Sequence, residues 1–317
     1  MSYEFHSGEL ELQARAGVRE IANRVAGSIH SFVPAAAGVF LEERRFVVLA
    51  TGDAENRPWA SLLTGPAGFA RRLDEHTIRI DAVPAPDDPM AMNLRTGSVA
   101  GIMAPDFATR RRIRINGRLE AADGAILIHV DQAYSNCPKY IQLREPESEL
   151  TLTRPRLVGR SSSLLPRHRD WIHRVDTFFI ATLVPGEGAD ASHRGGMPGF
   201  VRVENQELIW PDYRGNSMFN TLGNILKYPR AGILVPDFAT GSSLQLTGRA
   251  IVDSDPERSS SGTGDERRVR FKPEEVVQID DVLPQRLRLV EYSPFNPASL
   301  NIDVEPDHRD SSGSEFL

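Results

Sequence analysis

Apolar positions along this chain fall mostly in short runs rather than in long helical stripes. Phe46–Ala50 (FVVLA) and Phe178–Thr182 (FFIAT) are continuous apolar, aromatic or β-branched runs, each followed by a turn containing Gly or Pro, and read as strands. Trp59–Leu63, Thr77–Ile80, Val99–Met103 and Ile113–Leu119 follow the first run; Gly199–Val203, Glu207–Trp210, Gly232–Val235 and Leu244–Val252 follow the second. The expected class is therefore mainly β and antiparallel, with few helices. Val18, Ile21, Ala22, Val25, Ala26 and Ile29 recur at three- and four-residue spacing, which predicts an amphipathic helix over residues 9–30 packed on the β structure. A second helix is predicted over Met218–Lys227, stopped by Tyr228-Pro229 because the residue before proline is pushed out of the α region.

The two sets of strands are copies. Ala100–Thr109 (AGIMAPDFAT) lies over Ala231–Thr240 (AGILVPDFAT) at an offset of 131 residues, and ten of the twenty-one positions from 99 to 119 are identical without a gap. The same offset superposes Phe46–Thr51 on Thr177–Thr182. Four segments follow: an N-terminal helical segment (1–35), a first module (36–160), a second module (161–255), and a loop and tail (256–317) in which Pro256–Asp265, poor in apolar residues, is expected to be disordered.

Composition narrows the setting. Net charge is −6 with 25% charged and 40% apolar residues, and no apolar run approaches the ~20 residues needed to span a bilayer. Glu4, Glu9 and Glu11 stand where a secretory leader would be basic and then apolar, and the single Cys137 builds neither an intrachain disulfide nor a thiolate zinc site. A cytoplasmic, membrane-free protein is expected.

Candidate chemistry concentrates in Asp212–Asn224 (DYRGNSMFNTLGN). Arg214 supplies a cation, Gly215 lets backbone approach a ligand, Ser217 is placed to cap the predicted helix, and Asn220, Thr221 and Asn224 add donors on the following turns. The pattern reads as an anion cradle, or as an ordinary capped helix. Its counterpart in the first module, Ala82–Met90 (AVPAPDDPM), has no Arg, Ser or Asn, and Asp87 and Asp88 would repel a phosphate, so that copy is expected to have lost its site. The first module instead carries five arginines in Thr109–Arg118, among them Arg110, Arg112 and Arg114. Strand alternation sets Arg112 and Arg114 on the face opposite Ile113 and Ile115, where one or two of them could reach a phosphate or an acidic substrate. His193 and Arg194 are read in a glycine-flanked loop, where a histidine titrating near neutrality could transfer protons. Cys137 reads as a small buried residue beside a proline turn, and Lys139 and Tyr140 as lining a cleft between modules. No His-Glu-x-x-His pair, phosphate loop or Gly-x-Ser-x-Gly elbow occurs, so no metal is expected. The acidic balance and lack of aromatics among the arginines argue against nucleic acid.

The strand, then Tyr213–Ser217, the helix ending Lys227-Tyr-Pro-Arg-Ala-Gly, and the closing Leu246-Thr-Gly-Arg249 resemble the pyridoxamine 5′-phosphate oxidase-like FMN-binding split-barrel superfamily over most of residues 40–255. Phe5–Glu9 (FHSGE), Asn136–Gln142 (NCPKYIQ), Ser192–Gly196 (SHRGG) and Ser293–Pro297 (SPFNP) resemble a flavin-nucleotide-binding branch of it with tandem modules. The resemblance implies two tandem split barrels forming an intrachain pseudo-dimer. FMN would be anchored by the second module on Tyr213, Arg214, Gly215, Asn216, Ser217, Asn220, Thr221 and Asn224, and the first module would supply a partner wall with Arg110, Arg112 and Lys139. Arg194 would assist, and His193 would serve the flavin ring or a substrate carbonyl. Where the oxidase carries a Ser-Arg-Lys type sequence this chain has Gly215-Asn216-Ser217, so the implied function is an FMN-dependent oxidoreductase acting on another small molecule, the alternative being a non-catalytic flavin- or haem-binding carrier or sensor. Such a pseudo-dimer could remain a monomer or pair again as a homodimer.

Overall fold

The structure is a computed structural model that describes residues 3–122, 124–147, 154–254 and 267–297. The first module contains β1 (Phe46–Gly52), β2 (Pro58–Thr64), β3 (Ala70–Arg72), β4 (Thr77–Ile80), β5 (Val99–Asp106), β6 (Arg111–Ala122) and β7 (Ala125–Ser135), in the antiparallel order β2-β1-β5-β6-β7-β4-β3. A connection bearing β8 (Leu143–Pro146) and β9 (Arg156–Ser161) leads to the second module. There β10 (Thr177–Val184), β11 (Gly188–Gly195), β12 (Arg202–Glu204), β13 (Glu207–Pro211), β14 (Arg230–Pro236), β15 (Ser243–Ser254) and β16 (Arg267–Asp280) take the order β11-β10-β14-β15-β16-β13-β12. Strand for strand the two orders are the same. β9 adds to the outer edge of β16, and β17 (Leu287–Glu291) pairs with β8. The second sheet thus draws on β16, which lies past residue 255; Pro256–Asp265, expected to be disordered, lies outside the described residues.

Each sheet wraps its own apolar core, and a third core joins them. In β1, Val47 and Leu49 face the first barrel while Phe46, Val48 and Ala50 face the seam; in β10, Phe178 and Ile180 face the second barrel while Phe179 and Ala181 face the seam. Both faces being buried explains why these strands read as continuous apolar runs rather than alternating ones. Residues shared by the two copies meet at this seam. Phe107 and Phe238 of the repeated Pro-Asp-Phe-Ala-Thr segment contact edge to face with centroids 5.0 Å apart. Gly101 and Gly232 bring β5 against β11 and β14 against β2: a Cβ on Gly232 would lie 2.5 Å from the Pro58 carbonyl oxygen. Backbone there cannot yield as a flexible side chain would. Gly232→Ala is therefore expected to part the modules locally at a cost of about 1–3 kcal/mol, read as a lowered urea midpoint with unchanged slope.

Among the described residues five α-helices accompany the strands: α1 (Ser7–Arg15), α2 (Arg19–Ala26), α3 (Ala35–Glu42), α4 (Pro166–Arg174) and α5 (Asn220–Lys227). The single helix expected over 9–30 is two, broken at Gly17, whose φ of +64° lies in the left-handed region that a continuing helix excludes. α3 and α4 occupy matching places ahead of β1 and β10 and were not expected, because their apolar content is carried by only a few positions. α5 starts two residues later than expected, since Ser217 and Phe219 both adopt left-handed conformations (φ 65°). Ser192–Gly195 is not a loop but the end of β11, where Ala189, Ala191 and Ser192 are small because β5 packs directly on them.

Candidate functional site

A cavity of about 320 Å³ opens at the seam, with walls from both modules and from the N-terminal segment. Tyr213–Ser217 and Phe219–Leu222 form one wall, β6 and the segment Asn136–Tyr140 the opposite one, and Ser192–Gly195 of β11 the floor; Ala16, Val18 and Ile21 close the rim.

The cradle wall is built by backbone conformation rather than by a side-chain cap. Left-handed Ser217 and Phe219 flank Met218, and the Asn216 side chain accepts from the Met218 N–H at 3.1 Å, so the chain enters α5 through a tight concave turn. Successive N–H groups in such turns, with the unpaired first-turn N–H groups of the helix behind them, favour an anion. Ser217 is therefore not the helix cap; Phe219 holds that position and makes no side-chain cap bond. Thr221 donates to Asp190 at 3.0 Å, and the Asn220 amide donates to Glu9 at 2.6 Å. Tyr213 packs its ring 5.1 Å from that of Tyr140, whose hydroxyl donates to the Arg214 carbonyl at 3.0 Å.

The opposite wall is cationic and buried. Arg112 and Arg114 are 7% and 4% exposed, so the strand face set opposite Ile113 and Ile115 meets the other module instead of solvent. Arg114 forms a buried ion pair with Asp190. Arg112 donates to His193 Nδ1 at 2.7 Å, to the Lys139 carbonyl at 3.1 Å and to the Cys137 carbonyl. Because Arg112 can only donate, His193 Nδ1 accepts and its proton sits on Nε2. Burial, then the Arg112, Arg194 and Arg144 guanidiniums, pushes the His193 pKa well below its ordinary value. This overturns the reading of His193 as a proton carrier near neutrality: it is a neutral Nε2–H donor, held between the rings of Phe107 and Phe179. Arg194 donates to Ser192 Oγ at 2.8 Å and to the His193 carbonyl at 3.2 Å.

Of the remaining expected residues, Gly215 and Lys139 line the cavity, while Arg110 and Asn224 do not. Arg110 turns outward with φ 57° and pairs with Glu291 at 2.8 Å. Asn224 lies one turn further along α5 than Asn220, donating to Thr182 at 3.0 Å and meeting His6 Nε2 at 3.0 Å. Cys137 is exposed rather than buried and lines the cavity. Sequence reasoning missed Asp190, Glu9 and the α2 rim. Asp190 sits in a run of Ala and Gly with no local signal, and Glu9 becomes recognisable only once Gly8 of α1 is seen against Gly223 of α5.

The four dispersed motifs converge here. Gln142 donates to the Gly196 carbonyl at 3.1 Å and accepts from the Ser293 N–H at 2.7 Å; Ser293 Oγ accepts from the Tyr140 N–H at 3.1 Å; and Glu9 lies beneath Asn220. At the matching position in the first module, buried Asp88 accepts from Ser61 at 2.5 Å and from Gln245, the counterpart of Arg114, at 2.7 Å. Among the described residues no cluster of three or more His, Cys, Asp or Glu gathers to hold a metal, and no helix is long and apolar enough to cross a membrane.

Residues 33–149 match the family described as Pyridoxamine 5'-phosphate oxidase. No curated protein sequence matches the chain. Similar solved structures include HupZ of Group A Streptococcus (17% identity, 32% of this chain and 93% of that one, TM-score 0.27). An FAD binding protein from Mycobacterium smegmatis is 15% identical (38% and 98% covered, TM-score 0.27), and one from Mesorhizobium loti 12% (40% and 97%, TM-score 0.29). The match to that family thus covers the first module, and the second module repeats its strand order at an offset of 131 residues.

Proposed function

We propose that the seam cavity binds FMN and that the protein is an FMN-dependent oxidoreductase of the cytoplasm acting on a small molecule. The observation that carries this reading is the donor set without acceptors: the Nε atoms of Arg112, Arg114 and Arg194 and the His193 Nε2 are buried around one cavity with no hydrogen-bond partner among the described residues. Buried donors are nearly always satisfied, so four orphans in one place fit a site completed by a flavin together with the molecule it acts on. A volume of about 320 Å³ lies at the low end of the roughly 300–1,000 Å³ of small-molecule sites, which favours the mononucleotide over the dinucleotide FAD.

In this reading Tyr213–Ser217 and the first turn of α5 hold the phosphate, Ser217 offering a hydroxyl and Arg214 charge, while the Thr221 hydroxyl is engaged with Asp190. Thr221 is oriented by Asp190, itself fixed by Arg114 from the other module, so the cradle depends on the seam being closed. The flavin supplies reversible two-electron chemistry. Around it the protein contributes the Nε2–H of His193, a positive field, and Ile21 and Val18 as an apolar rim. A non-catalytic flavin carrier has one observation in its favour: with its pKa held well below the ordinary value, His193 does not take up and release a proton near neutrality.

The test is to measure FMN affinity of the full chain. Arg214→Ala together with Ser217→Ala should weaken FMN roughly tenfold or more, while Asp87→Ala at the matching place in the first module should leave it unchanged. Equal behaviour of the two variants would remove the site from the second module. Rapid reoxidation of the reduced, loaded protein by electron acceptors favours the enzyme; an unreactive flavin favours the carrier.

A further inference from the structure

We infer that the wall opposite the cradle and the adjoining floor form a second anion subsite, built by Arg112, Lys139 and Arg194, and that the substrate brought to the flavin is a small carboxylic acid. The inference rests on the flavin reading above and assigns to substrate three residues that the family resemblance would give to the cofactor.

Charge accounting leads to it. Of the cations lining the cavity, Arg114 is paired with Asp190 and Arg267 with Asp212 at 3.3 Å. Arg112, Lys139 and Arg194 have no carboxylate partner among the described residues: Arg112 meets one imidazole and two carbonyls, Arg194 a hydroxyl and a carbonyl, and the Lys139 ammonium lies 5.7 Å from the centre of the Phe295 ring. Burial, then repulsion from Arg114, pulls the Arg112 pKa down to about 10, and burial lowers that of Arg194 against the opposing pull of the Asp212 and Asp190 carboxylates. Asp212 and Asp190, the carboxylates that act on Arg194, are themselves paired with Arg267 and Arg114, so buried Arg112 and half-buried Arg194 and Lys139 make no ion pair of their own, and an arriving anion relieves their repulsion.

A flavin phosphate carries about two negative charges, and the cradle, with its own N–H groups and Arg214, is already suited to it. Three cations on the far wall and floor exceed what a phosphate seated in the cradle can neutralise. They are held independently of the cradle: Arg112 is fixed by Asn136–Tyr140 of the first module, and Arg194 by its own strand β11 on the cavity floor. Tyr140, Tyr213, Phe200 and Phe219 line the same cavity and offer apolar and aromatic surface to the body of an acid whose carboxylate meets the arginines. Carboxylate suits this wall because guanidinium donors pair with its two oxygens.

Benzoate, a planar monocarboxylate, is the probe, titrated calorimetrically into FMN-loaded and flavin-free full-length protein, with benzamide as the uncharged control. Benzoate should bind the loaded protein and perturb the flavin absorbance, benzamide should bind roughly tenfold more weakly, and Arg194→Gln and Lys139→Gln should each weaken benzoate roughly tenfold while changing FMN affinity little. Arg112→Lys, which keeps the buried charge, is the companion variant should loss of that charge impair folding. Displacement of FMN by benzoate one for one, or loss of FMN rather than benzoate affinity in the variants, would show that these cations hold the flavin's own phosphate and would overturn the inference. Absence of benzoate binding to either form would do the same. Benzoate binding to a protein that never takes up FMN would leave the subsite standing and remove the flavin reading.

Discussion

Replacing Arg114 by methionine should destabilise the protein by about 3 kcal/mol, the lower end of the roughly 3–5 kcal/mol seen when one partner of a buried ion pair is removed. Asp190 would then be a carboxylate 2% exposed, facing the other module without its counter-charge. The lower figure applies because Asp190 keeps two hydroxyl donors, Thr221 at 3.0 Å and Tyr134 at 3.5 Å. Removing both charges together, as in Arg114→Met with Asp190→Leu, should restore most of the lost stability, since the desolvation cost of the pair disappears with it. Urea unfolding of the two single variants and the double variant measures the coupling. Additive losses would mean that the pair does not hold the seam. FMN affinity should follow a different pattern: it should fall in all three variants, because each leaves Thr221 without its fixed acceptor or that acceptor without its anchor.

This pair also marks the limit of what could be read from the chain. The duplication was legible because the residues that recur at the offset of 131 are those the two copies press against each other: Gly101 and Gly232 admit the opposing backbone, and Phe107 meets Phe238. The anion cradle was legible as a segment, and the sidedness of Arg112 and Arg114 followed from strand alternation. Which residues the seam would trap between modules was not legible. β11 looks like a loop because its small residues are chosen for packing against β5, a partner 90 residues away in register terms that local pattern does not carry. His193 kept its ordinary titration in the sequence reading because the three guanidiniums that depress it come from β6, β8 and its own strand. Arg110 and Asn224 were misplaced for simpler reasons. A left-handed backbone turns Arg110 out of the strand alternation, and Asn224 lies one helical turn past the face that α5 presents to the cavity.

Stability should fall as pH rises from about 5 to 7 through one group, Glu9, by about 3 kcal/mol. Its carboxyl is 1% exposed, and burial lifts its pKa from the ordinary 4.5 to about 7, against the opposing pull of the His6 N–H, the Asn220 amide and the Tyr3 hydroxyl. The groups facing it are Tyr3 at 3.3 Å, the Asn220 amide at 2.6 Å, the His6 N–H at 2.8 Å and imidazole at 3.7 Å, with the Asp190 carboxylate adding repulsion. His6 does not offset this as a cation, since burial lowers its own pKa. Between the unfolded and folded pKa values the native state binds the proton and the unfolded chain does not. Unfolding therefore releases a proton, and each further unit of pH favours the unfolded state until Glu9 ionises in the fold as well. The contribution is fully present below about 4.5 and gone above about 7. Glu9→Gln keeps an acceptor for Asn220 and removes the titration, so its unfolding free energy should show a shallower pH dependence and exceed that of the natural chain at pH 8. Flavin-free protein unfolded in urea at pH 5 and pH 8 measures this without interference from ligand linkage. Parallel pH profiles for the two proteins would show that Glu9 titrates normally, and that the packing of α1 on α5, with Gly8 against Gly223, does not carry the burial on which the shift depends.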